Sequence, residues 1–552
     1  MPSQINKEPN LTNADLSPFV GRWVALSGDQ VVGVGETAPA AERLGRRNRI
    51  RDQLSIYYVE PAGGVPLPLP PLLDKLQPIF ARLDQPVYLV GGAIRDILLG
   101  RSSKDLDFVL PSGAVQLAFK VADFLGQPAY VLDRQRDAGR IVLQREDTTL
   151  DFTRFRGDDL EADLRDRDFC LNTLALPVAA KSRASIVDPC RGIEDIEKRR
   201  IRLTHSSALK DDPVRTLRAI RLALELDFNL TAETAAAIKE AAPLLENVSM
   251  ERARDELLKM FQLPEPGRSL SSLAELELLP IILPEINALA GVQQSAPHHE
   301  PVLDHVQSTL RWLATVERVI LYGQPAADPR LEVAQAHLTN FVPSLNQHFE
   351  RRVDGGLDGY LILRLGALFH DVGKASTQEV DPDGHIRFYG HDKIGATTVG
   401  RALSWLKLSK EAIYGVKSIV AGHMRPLFLS QNPSLSRRAI YRFYRDHGAY
   451  GLDICLLSLA DHLAIYDRMD GNLEWDRLLN VVDQLIGHYF LHHEDSVRPN
   501  PLIDGQDLID ILQVEPGPEI GRLLRLIEEA QAAGEITTRD QALALARQFN
   551  KS

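Results

Sequence analysis

The chain reads as a multidomain α+β protein: a small β-hairpin module, a mixed α/β head and an all-α remainder. Three observations carry that reading. At 552 residues, and at roughly 150 residues per domain, it is long enough for about three to four cores. Hydrophobic residues at 44% and charged residues at 25% are ordinary globular values and exclude wholesale disorder. The apolar spacing also changes along the chain, from short strand-like runs interleaved with helices to almost continuous helical spacing.

In order, Trp23–Gly35 (WVALSGDQVVGVG) predicts two short strands around a Ser-Gly-Asp turn, followed by a basic helical segment at Arg43–Arg51 and a third strand in SIYYVEP. The Pro-rich piece from Pro61 to Pro71 reads as a linker. This module, residues 1–66, resembles the short β-hairpin domains of unknown function appended to bacterial enzymes and carries no recognisable chemistry. Residues 67–195 predict the head: a strand at Val87–Val90, helix AIRDILLG, strand DLDFVL, helix VQLAFKVADFLG, and strands IVLQ and TLDFTRF. Residues 196–290 are nearly all helical, with apolar residues such as Leu217, Ile220 and Leu224 at helical spacing. Residues 291–480 are helical again, interrupted by a polar stretch, Gly323–Gly359, that reads as an insertion. Residues 481–552 predict a tail of amphipathic helices.

The formal net charge of −12 argues against a protein that coats nucleic acid without selectivity, although a local basic groove is compatible with it. The three cysteines, Cys170, Cys190 and Cys455, form no CxxC pair and no even disulfide set, which points to a reducing compartment. The opening MPSQINKEPNLTNADL lacks a basic segment followed by an apolar one, so no secretory leader is expected. No apolar run approaches the roughly 18 residues of a membrane span. The expectation is a soluble protein of the cytoplasm with no membrane partner and no readable oligomeric state.

Leu89–Leu110 (LVGGAIRDILLGRSSKDLDFVL) is the most informative segment. Its strand ends in Gly91-Gly92, where a missing Cβ lets backbone N–H groups approach a ligand. The helix that follows aims its positive end and unpaired N–H groups at the same space, a seat for phosphate. Asp105 and Asp107 stand at i and i+2 of a strand, so both carboxylates project from one face. Carboxylates beside a phosphate cradle suit phosphoryl transfer assisted by Mg²⁺, with Asp151 of TLDFTRF placed to complete the set from a neighbouring strand. A tight turn beside a solvated strand edge would look the same from these residues alone.

The segment resembles the first motif of class II tRNA nucleotidyltransferases and bacterial poly(A) polymerases, members of the DNA polymerase β-like nucleotidyltransferases. The matching residues are Gly91, Gly92, Arg95, Asp96, Leu98, Leu99, Gly100, Lys104, Asp105 and Asp107. Three further motifs follow in that family's order. DLRDRDFCLNTLAL is similar to its ribose motif at Asp163, Arg167, Asp168, Phe169, Asn172 and Ala175; DPCRGIEDIEKRRIR to its hinge motif at Asp188, Gly192, Asp195 and Arg202; and ALKDDPVRTLRAIRLA to its base-recognition helix at Asp212, Pro213, Arg215, Leu217, Arg218, Ala219 and Arg221. The resemblance implies a small polymerase β-like nucleotidyltransferase head and an all-α neck and body. It implies that Asp105 and Asp107 hold Mg²⁺, that Gly91, Gly92 and Arg95 serve the triphosphate, that Asp96 is among the nucleotide-binding residues, and that Arg167, Asp168 and Asn172 contact the sugar. Asp166 stands where the family usually has Arg, Cys170 and Thr173 where Thr and Ala are common, and Asp211 where Glu is usual.

Base selection also has a physical reading. Asp212 and Arg215 are three apart, on one face of a helix with Pro213 in its first turn. A carboxylate accepts from an exocyclic amine while an arginine donates to the ring acceptor beside it. Cytosine and adenine present that order on their Watson–Crick edge, whereas uracil and guanine present the reverse. The pair would thus admit CTP and ATP and reject UTP and GTP. An intrahelical ion pair is the competing reading.

A second cluster lies further on. LILRLGALFHDVGK places His370-Asp371 at the end of an apolar helix, with His305, His391, His423 and Asp461 elsewhere on helices. Imidazoles and carboxylates in this mixture suit a divalent metal with open positions. The pattern is similar to the HD family of metal-dependent phosphohydrolases. That resemblance implies His305, His370, Asp371 and Asp461 as ligands of Mn, Ni, Fe or Mg, with His391 and His423 available to a second ion. The Gly323–Gly359 insertion puts His305 most in question.

RNA would be met by Arg199, Arg200 and Arg202, then Arg215, Arg218 and Arg221, then Arg252 and Arg254, or those last are solvated faces. The expected activity is template-independent addition of C and/or A, from CTP and ATP, to the 3′ end of tRNA. A poly(A) polymerase or a CC-only or A-only enzyme is the alternative. An HD-type phosphohydrolase with a nucleotide- or RNA-binding first domain is a second.

Overall fold

A computed structural model describes residues 4–5, 14–354, 356–432, 434–466 and 472–550. The opening segment, on which the expectation of no leader rests, lies largely outside them. The chain divides into two units, Met1–Ala241 and Ala242–Ser552.

In the first unit, β1 (Gln4–Ile5), β2 (Trp23–Ser27), β3 (Gln30–Gly35) and, after α1 (Ala38–Asn48), β4 (Ser55–Tyr58) make a four-stranded sheet in the order β1-β4-β2-β3. Helix α1 starts earlier than the basic run suggested because Thr37 caps it, accepting from the Ala40 N–H at 3.2 Å. The helix lies against β3 through Gly33, where a Cβ would meet the Ala41 carbonyl at 2.3 Å. The Pro-rich linker is docked rather than free. Leu67 N–H donates to the Lys181 carbonyl at 2.8 Å, Arg183 N–H donates to the Val65 carbonyl at 2.8 Å, and the Ser182 N–H reaches the Glu60 carboxylate at 3.0 Å.

The head comprises α2 (Pro71–Phe80), β5 (Tyr88–Val90), α3 (Gly92–Leu98), β6 (Asp105–Leu110), α4 (Ala114–Leu125), β7 (Ala129–Asp133), β8 (Ala138–Leu143), β9 (Thr148–Arg154), α5 (Leu160–Arg165) and β10 (Ala175–Pro177). Its six strands run β10-β5-β6-β9-β8-β7, parallel only between β6 and β9. Leu106, Phe108 and Phe152 are buried, and the Phe108 and Phe152 rings stack at 4.9 Å. Strands β7 and β10 have no counterpart in the sequence reading. Tyr130, Val131 and Leu132 of β7 are all exposed, so no alternation announces a strand, and β10 is three residues inside the ribose motif. The unit ends in α6 (Gly192–Glu197), β11 (Arg200–Ile201), α7 (Ala208–Asp211), α8 (Arg215–Leu226), β12 (Asn229–Leu230) and α9 (Ala232–Ala241), with β11 and β12 paired in parallel.

The second unit is helical. It runs through α10 (Met250–Gln262), α11 (Pro266–Glu275), α12 (Leu279–Ile282), α13 (Pro284–Asn287), α14 (Val302–Val316), α15 (Pro329–Leu338) and α16 (Val342–Glu350) to the pair β13 (Arg352–Asp354) and β14 (Leu357–Asp358). Then come α17 (Gly359–Phe369), α18 (Lys374–Thr377), the pair β15 (Gln378–Val380) and β16 (Ile386–Phe388), α19 (His391–Trp405), α20 (Lys410–Gly422), α21 (Arg425–Ser430), α22 (Arg437–His447), α23 (Gly451–Ile465) and α24 (Asn472–Leu491). The tail helices α25 (Gly505–Leu512), α26 (Pro518–Ala532) and α27 (Arg539–Phe549) share a core of Ile503, Leu508, Leu523, Ile527 and Leu543.

Two expectations are corrected here. Gly323–Gly359 does not interrupt the helical pattern: α15 and α16 bury Leu331, Ala334, Leu338, Leu345 and Phe349, whose helical spacing is diluted by the surrounding Gln, His and Asn. And one stretch, Arg437–Ile465, is long and apolar enough to pass as a membrane span, yet 83% of its apolar window is buried inside the protein. It is α22 and α23 joined by a turn at Gly448–Tyr450, the core of a helical unit. At the centre of that unit Arg364 of α17 forks onto Glu317 at 2.6 Å while its Nη1 donates to the Phe261 and Leu263 carbonyls at 3.0 Å. Replacing Phe108 by Ala should lower the stability of the head by about 3–5 kcal/mol, read as a fall in the urea midpoint of its unfolding transition.

Candidate active site and candidate metal centre

The parallel register between β6 and β9 sets Asp105 opposite Thr149 and Asp107 opposite Asp151. All three carboxylates therefore share one face of the head sheet, and the buried Leu106, Phe108 and Phe152 take the other. Asp105 is exposed; Asp107 is set back. Loss of solvent raises the Asp107 carboxyl to about 6, Arg167 opposes the rise, and Asp151 and Asp105 add to it. Gly91, at the end of β5, has φ 75° and ψ −138°, a conformation that favours glycine. A Cβ there would lie 3.1 Å from Arg167 Nη1 and 3.6 Å from Asp107 Oδ2, so the bare backbone is what brings the turn up to the carboxylate.

Asp151 shares that face and is engaged by a neighbour from the next strand. Arg140 of β8, its antiparallel partner, takes both carboxylate oxygens, Nε to Oδ1 at 2.7 Å and Nη2 to Oδ2 at 2.6 Å. No sequence signal marked Arg140, because its role comes from cross-strand register alone.

Around the carboxylates runs a chain of charged groups. Arg95, buried, gives Nε and Nη2 to Asp96 Oδ1 at 2.9 and 2.8 Å and Nη1 to Asn172 Oδ1 at 2.9 Å. It ties α3 to the turn at Cys170–Asn172 through all three guanidinium nitrogens. Asp96 is pushed up by burial against the pull of Arg95. Asn172 Nδ2 donates to Asp168 Oδ1 at 3.1 Å, and Arg218 of α8 meets Asp168 Oδ2 at 3.0 Å. Burial opposes the Asp168 charge, but Arg218, Asn172 and the Phe169 N–H hold its carboxyl below the usual range. Arg167 is anchored by Asp163 at 3.0 Å, with Nη1 beside Gly91. Gly92 follows as the first residue of the short α3.

The expected base-reading pair is arranged differently. Asp212 is not on the helix: it is the extended residue after α7, with φ −147°, and α8 begins only at Arg215. Pro213 breaks the chain between the two. Arg215 donates to the Ala208 and Asp166 carbonyls at 3.3 and 3.4 Å, while Arg221 pairs with Glu225 at 2.5 Å. Asp166, where the family usually has Arg, lies 3.6 Å from Arg156.

In the second unit the dispersed histidines converge. His305 Nε2 lies 2.9 Å from Asp461 Oδ1 and 3.7 Å from Asp371 Oδ2, so the residue most in question is at the centre. The folded α15 and α16 occupy the stretch between it and His370. His370 Nε2 is 3.3 Å from Asp371 Oδ2, His391 Nε2 is 3.5 Å from Asp371 Oδ1, and the His391 and His423 Nε2 atoms are 3.2 Å apart. Two candidate cation sets share Asp371: His305, His370 and Asp371, and Asp371, His391 and His423.

The imidazoles are prepared for this arrangement. The Nδ1 atoms of His370, His391 and His423 lie 2.8, 2.9 and 2.7 Å from the carbonyls of Ala367, Phe388 and Val420. A carbonyl requires a donor there, so each Nε2 of the neutral ring carries a lone pair into the cluster. The buried His370 Nε2 has no hydrogen-bond partner among the described residues. Once deprotonated, these Nε2 atoms and the carboxylates fit a divalent cation; without one, burial opposes the His370 charge but Asp371 and Asp461 outweigh it and hold the imidazole above its usual range. Burial opposes the Asp371 charge, but Lys374 and His370 hold its carboxyl well below the usual range. Lys374, 2.7 Å away, and His298, stacked edge-on to His305 at 5.1 Å, were not singled out from the sequence; only the HDVGK string pointed to the lysine.

Comparison with known proteins agrees with this anatomy. A family model described as "Poly A polymerase head domain" matches residues 87–202, one described as "Probable RNA and SrmB- binding site of polymerase A" matches 227–289, and one for tRNA nucleotidyltransferase domain 2 matches 392–546. The chain is 30% identical over 467 residues to the A-adding tRNA nucleotidyltransferase of Deinococcus radiodurans, covering 84% of this chain and 95% of that one. It is 31% identical over 480 residues to the CC-adding tRNA nucleotidyltransferase of Thermus thermophilus, with the same shares. In fold it is similar to a CCA-adding enzyme solved with ATP, at a TM-score of 0.56 and 18% identity over 87% of this chain and 95% of that one.

With the Asp107 carboxyl raised from 3.8 to about 6, the folded chain keeps a proton that the unfolded chain has released. The group's contribution to stability therefore falls as pH rises through that window. Mg²⁺ affinity should weaken below pH 6 with proton release on binding, checked by calorimetry in buffers of different ionisation enthalpy; Asp107→Asn should abolish the release.

Proposed function

Because the chain belongs to the class II tRNA nucleotidyltransferases, we propose that it adds C and/or A residues, from CTP and ATP and without a template, to the 3′ end of tRNA. The observation that carries this reading is the shared face of Asp105 and Asp107 beside the bare backbone of Gly91. The family depends on a divalent metal, and we assign Mg²⁺ to Asp105 and Asp107. Bound there, it would draw in the triphosphate oxygens and ease the loss of the proton from the attacking 3′-hydroxyl. Arg167, expected on the sugar side, is anchored on Asp163 with Nη1 toward the Gly91 turn, which supports a contact with the phosphates as well. We assign the sugar to Asp168 and Asn172, an assignment supported by their fixed positions against Arg218 and Arg95. Base choice rests on Asp212 and Arg215, with Arg215 oriented by the Ala208 and Asp166 carbonyls and Arg218 turned to Asp168.

The histidine cluster supports a second reading for the second unit: hydrolysis of phosphate ends or cyclic phosphates at a site held by His305, His370, Asp371 and Asp461, with His391 and His423 for a second ion of the Mn, Ni, Fe or Mg class. The orphaned His370 Nε2 favours it. Three buried thiols suit a reducing compartment, in keeping with the cytoplasm.

Incubated with labelled CTP and ATP, tRNA transcripts ending before CCA should be extended, and Asp105→Ala should reduce extension by at least about a thousandfold; resolved product lengths tell two-C, one-A, CCA and poly(A) addition apart. His370→Gln should lower the bound divalent metal found by elemental analysis and abolish any phosphatase activity, while extension of tRNA persists.

A further inference from the structure

The head sheet does not end at its carboxylates. Strand pairing sets Arg140 opposite Asp151 and Tyr130 opposite Arg140. Paired residues share a face, so the face bearing Asp105, Asp107 and Asp151 continues across β8 to the free edge strand β7. Tyr130 on it is 53% exposed, Val142 of β8 is 37% exposed, and the Arg140 side chain is 42% exposed. Arg140 spends Nε and Nη2 on Asp151; Nη1 has no hydrogen bond among the described residues. An exposed ring and a partly free guanidinium, continuous with a catalytic face, have no part in the core.

In-line displacement at phosphorus fixes who can lie there. The attacking and leaving oxygens occupy opposite sides of the transferred phosphoryl group. The Gly91 turn and Arg167 lie on the β5 flank of Asp107, and β5 and β9 flank β6 on opposite sides. With the pyrophosphate on the β5 side, the strand that delivers the 3′-oxygen comes over β9, β8 and β7.

We propose that Tyr130 and Arg140 form the platform for the 3′-terminal nucleotide of the RNA being extended, the phenol ring stacking on its base and Arg140 Nη1 meeting its phosphate. This rests on the assignment of the nucleoside triphosphate to the Gly91 side. Stacking on an aromatic ring beside a cation is how single-stranded nucleic acid is held without regard to base identity, as an end whose last base changes with each addition requires. Because the same guanidinium grips Asp151, arrival of the RNA phosphate is coupled to a carboxylate of the reacting face.

The test uses the full chain and tRNA transcripts ending before CCA, with either a normal or an abasic 3′-terminal nucleotide. Tyr130→Ala should raise KM for the normal RNA roughly tenfold, Tyr130→Phe should restore it, and on the abasic RNA the Ala variant and the parent protein should coincide. An unchanged RNA KM, an equal rise on both RNAs, or a rise confined to KM for CTP and ATP would each overturn the proposal. Asp105→Ala run in parallel keeps the two readings apart. Extension surviving there removes the triphosphate assignment, whereas the RNA KM of the Tyr130 variants judges the platform directly.

Discussion

Parallel pairing of β6 with β9 forces like charges together, and much of the head answers to that strain. Asp107 and Asp151 are cross-strand partners, a placement that costs energy wherever both ionise without compensation. Two arginines relieve it from different directions. Arg140 neutralises Asp151 from β8, and Arg167, itself braced on Asp163, stands over Asp107. The remaining excess of negative charge is what a cation would complete, so the strain is also the source of affinity.

Rigidity around this face comes from ion pairs that bridge elements distant in sequence. Arg218 of α8 reaches Asp168, Asp168 holds Asn172, and Asn172 holds Arg95 of α3. A buried carboxylate is costly unless hydrogen-bonded and paired, and breaking such a pair leaves an uncompensated charge. The helix bearing Arg215 is thus fixed to the Cys170–Asn172 turn by the same network that keeps that turn in shape. The second unit uses a different device. There the imidazoles are oriented one by one through backbone carbonyls at helix ends, and the carboxylates gather between them.

What was legible in the sequence followed simple periodicity. Asp105 and Asp107, two apart on a strand, declare a common face, and Gly91-Gly92 declares the turn beside them. The second cluster was legible as residue types, but the place of His305 was obscured because α15 and α16 carry their buried Leu331, Leu345 and Phe349 amid polar neighbours. Two features had no local signature, and a third carried one in Pro213 that motif matching alone overrides. Arg140 on Asp151 is a matter of cross-strand register; Asp212 leaves its helix because Pro213 intervenes; and β7 is exposed on both faces, so nothing alternates. In each case the deciding interaction is with a residue distant in the chain or a backbone that local spacing does not describe.

The proline-rich passage between the hairpin module and the head is a seam. Its backbone pairs with Lys181–Arg183 while Glu60 accepts from Ser182, which is itself buried. A chain shortened to begin at residue 67 would strip the Arg183 amide of its acceptor at Val65 and the Ser182 amide of the Glu60 carboxylate, at about 0.5–1.5 kcal/mol for each hydrogen bond exchanged for one to water. It would also uncover Tyr88, on the strand that leads into the Gly91 turn, beside the cleft it lines with Trp23 and Tyr58. The small appended sheet therefore walls a cleft against the strand that leads into the Gly91 turn, and its removal would leave that strand covered on one fewer side.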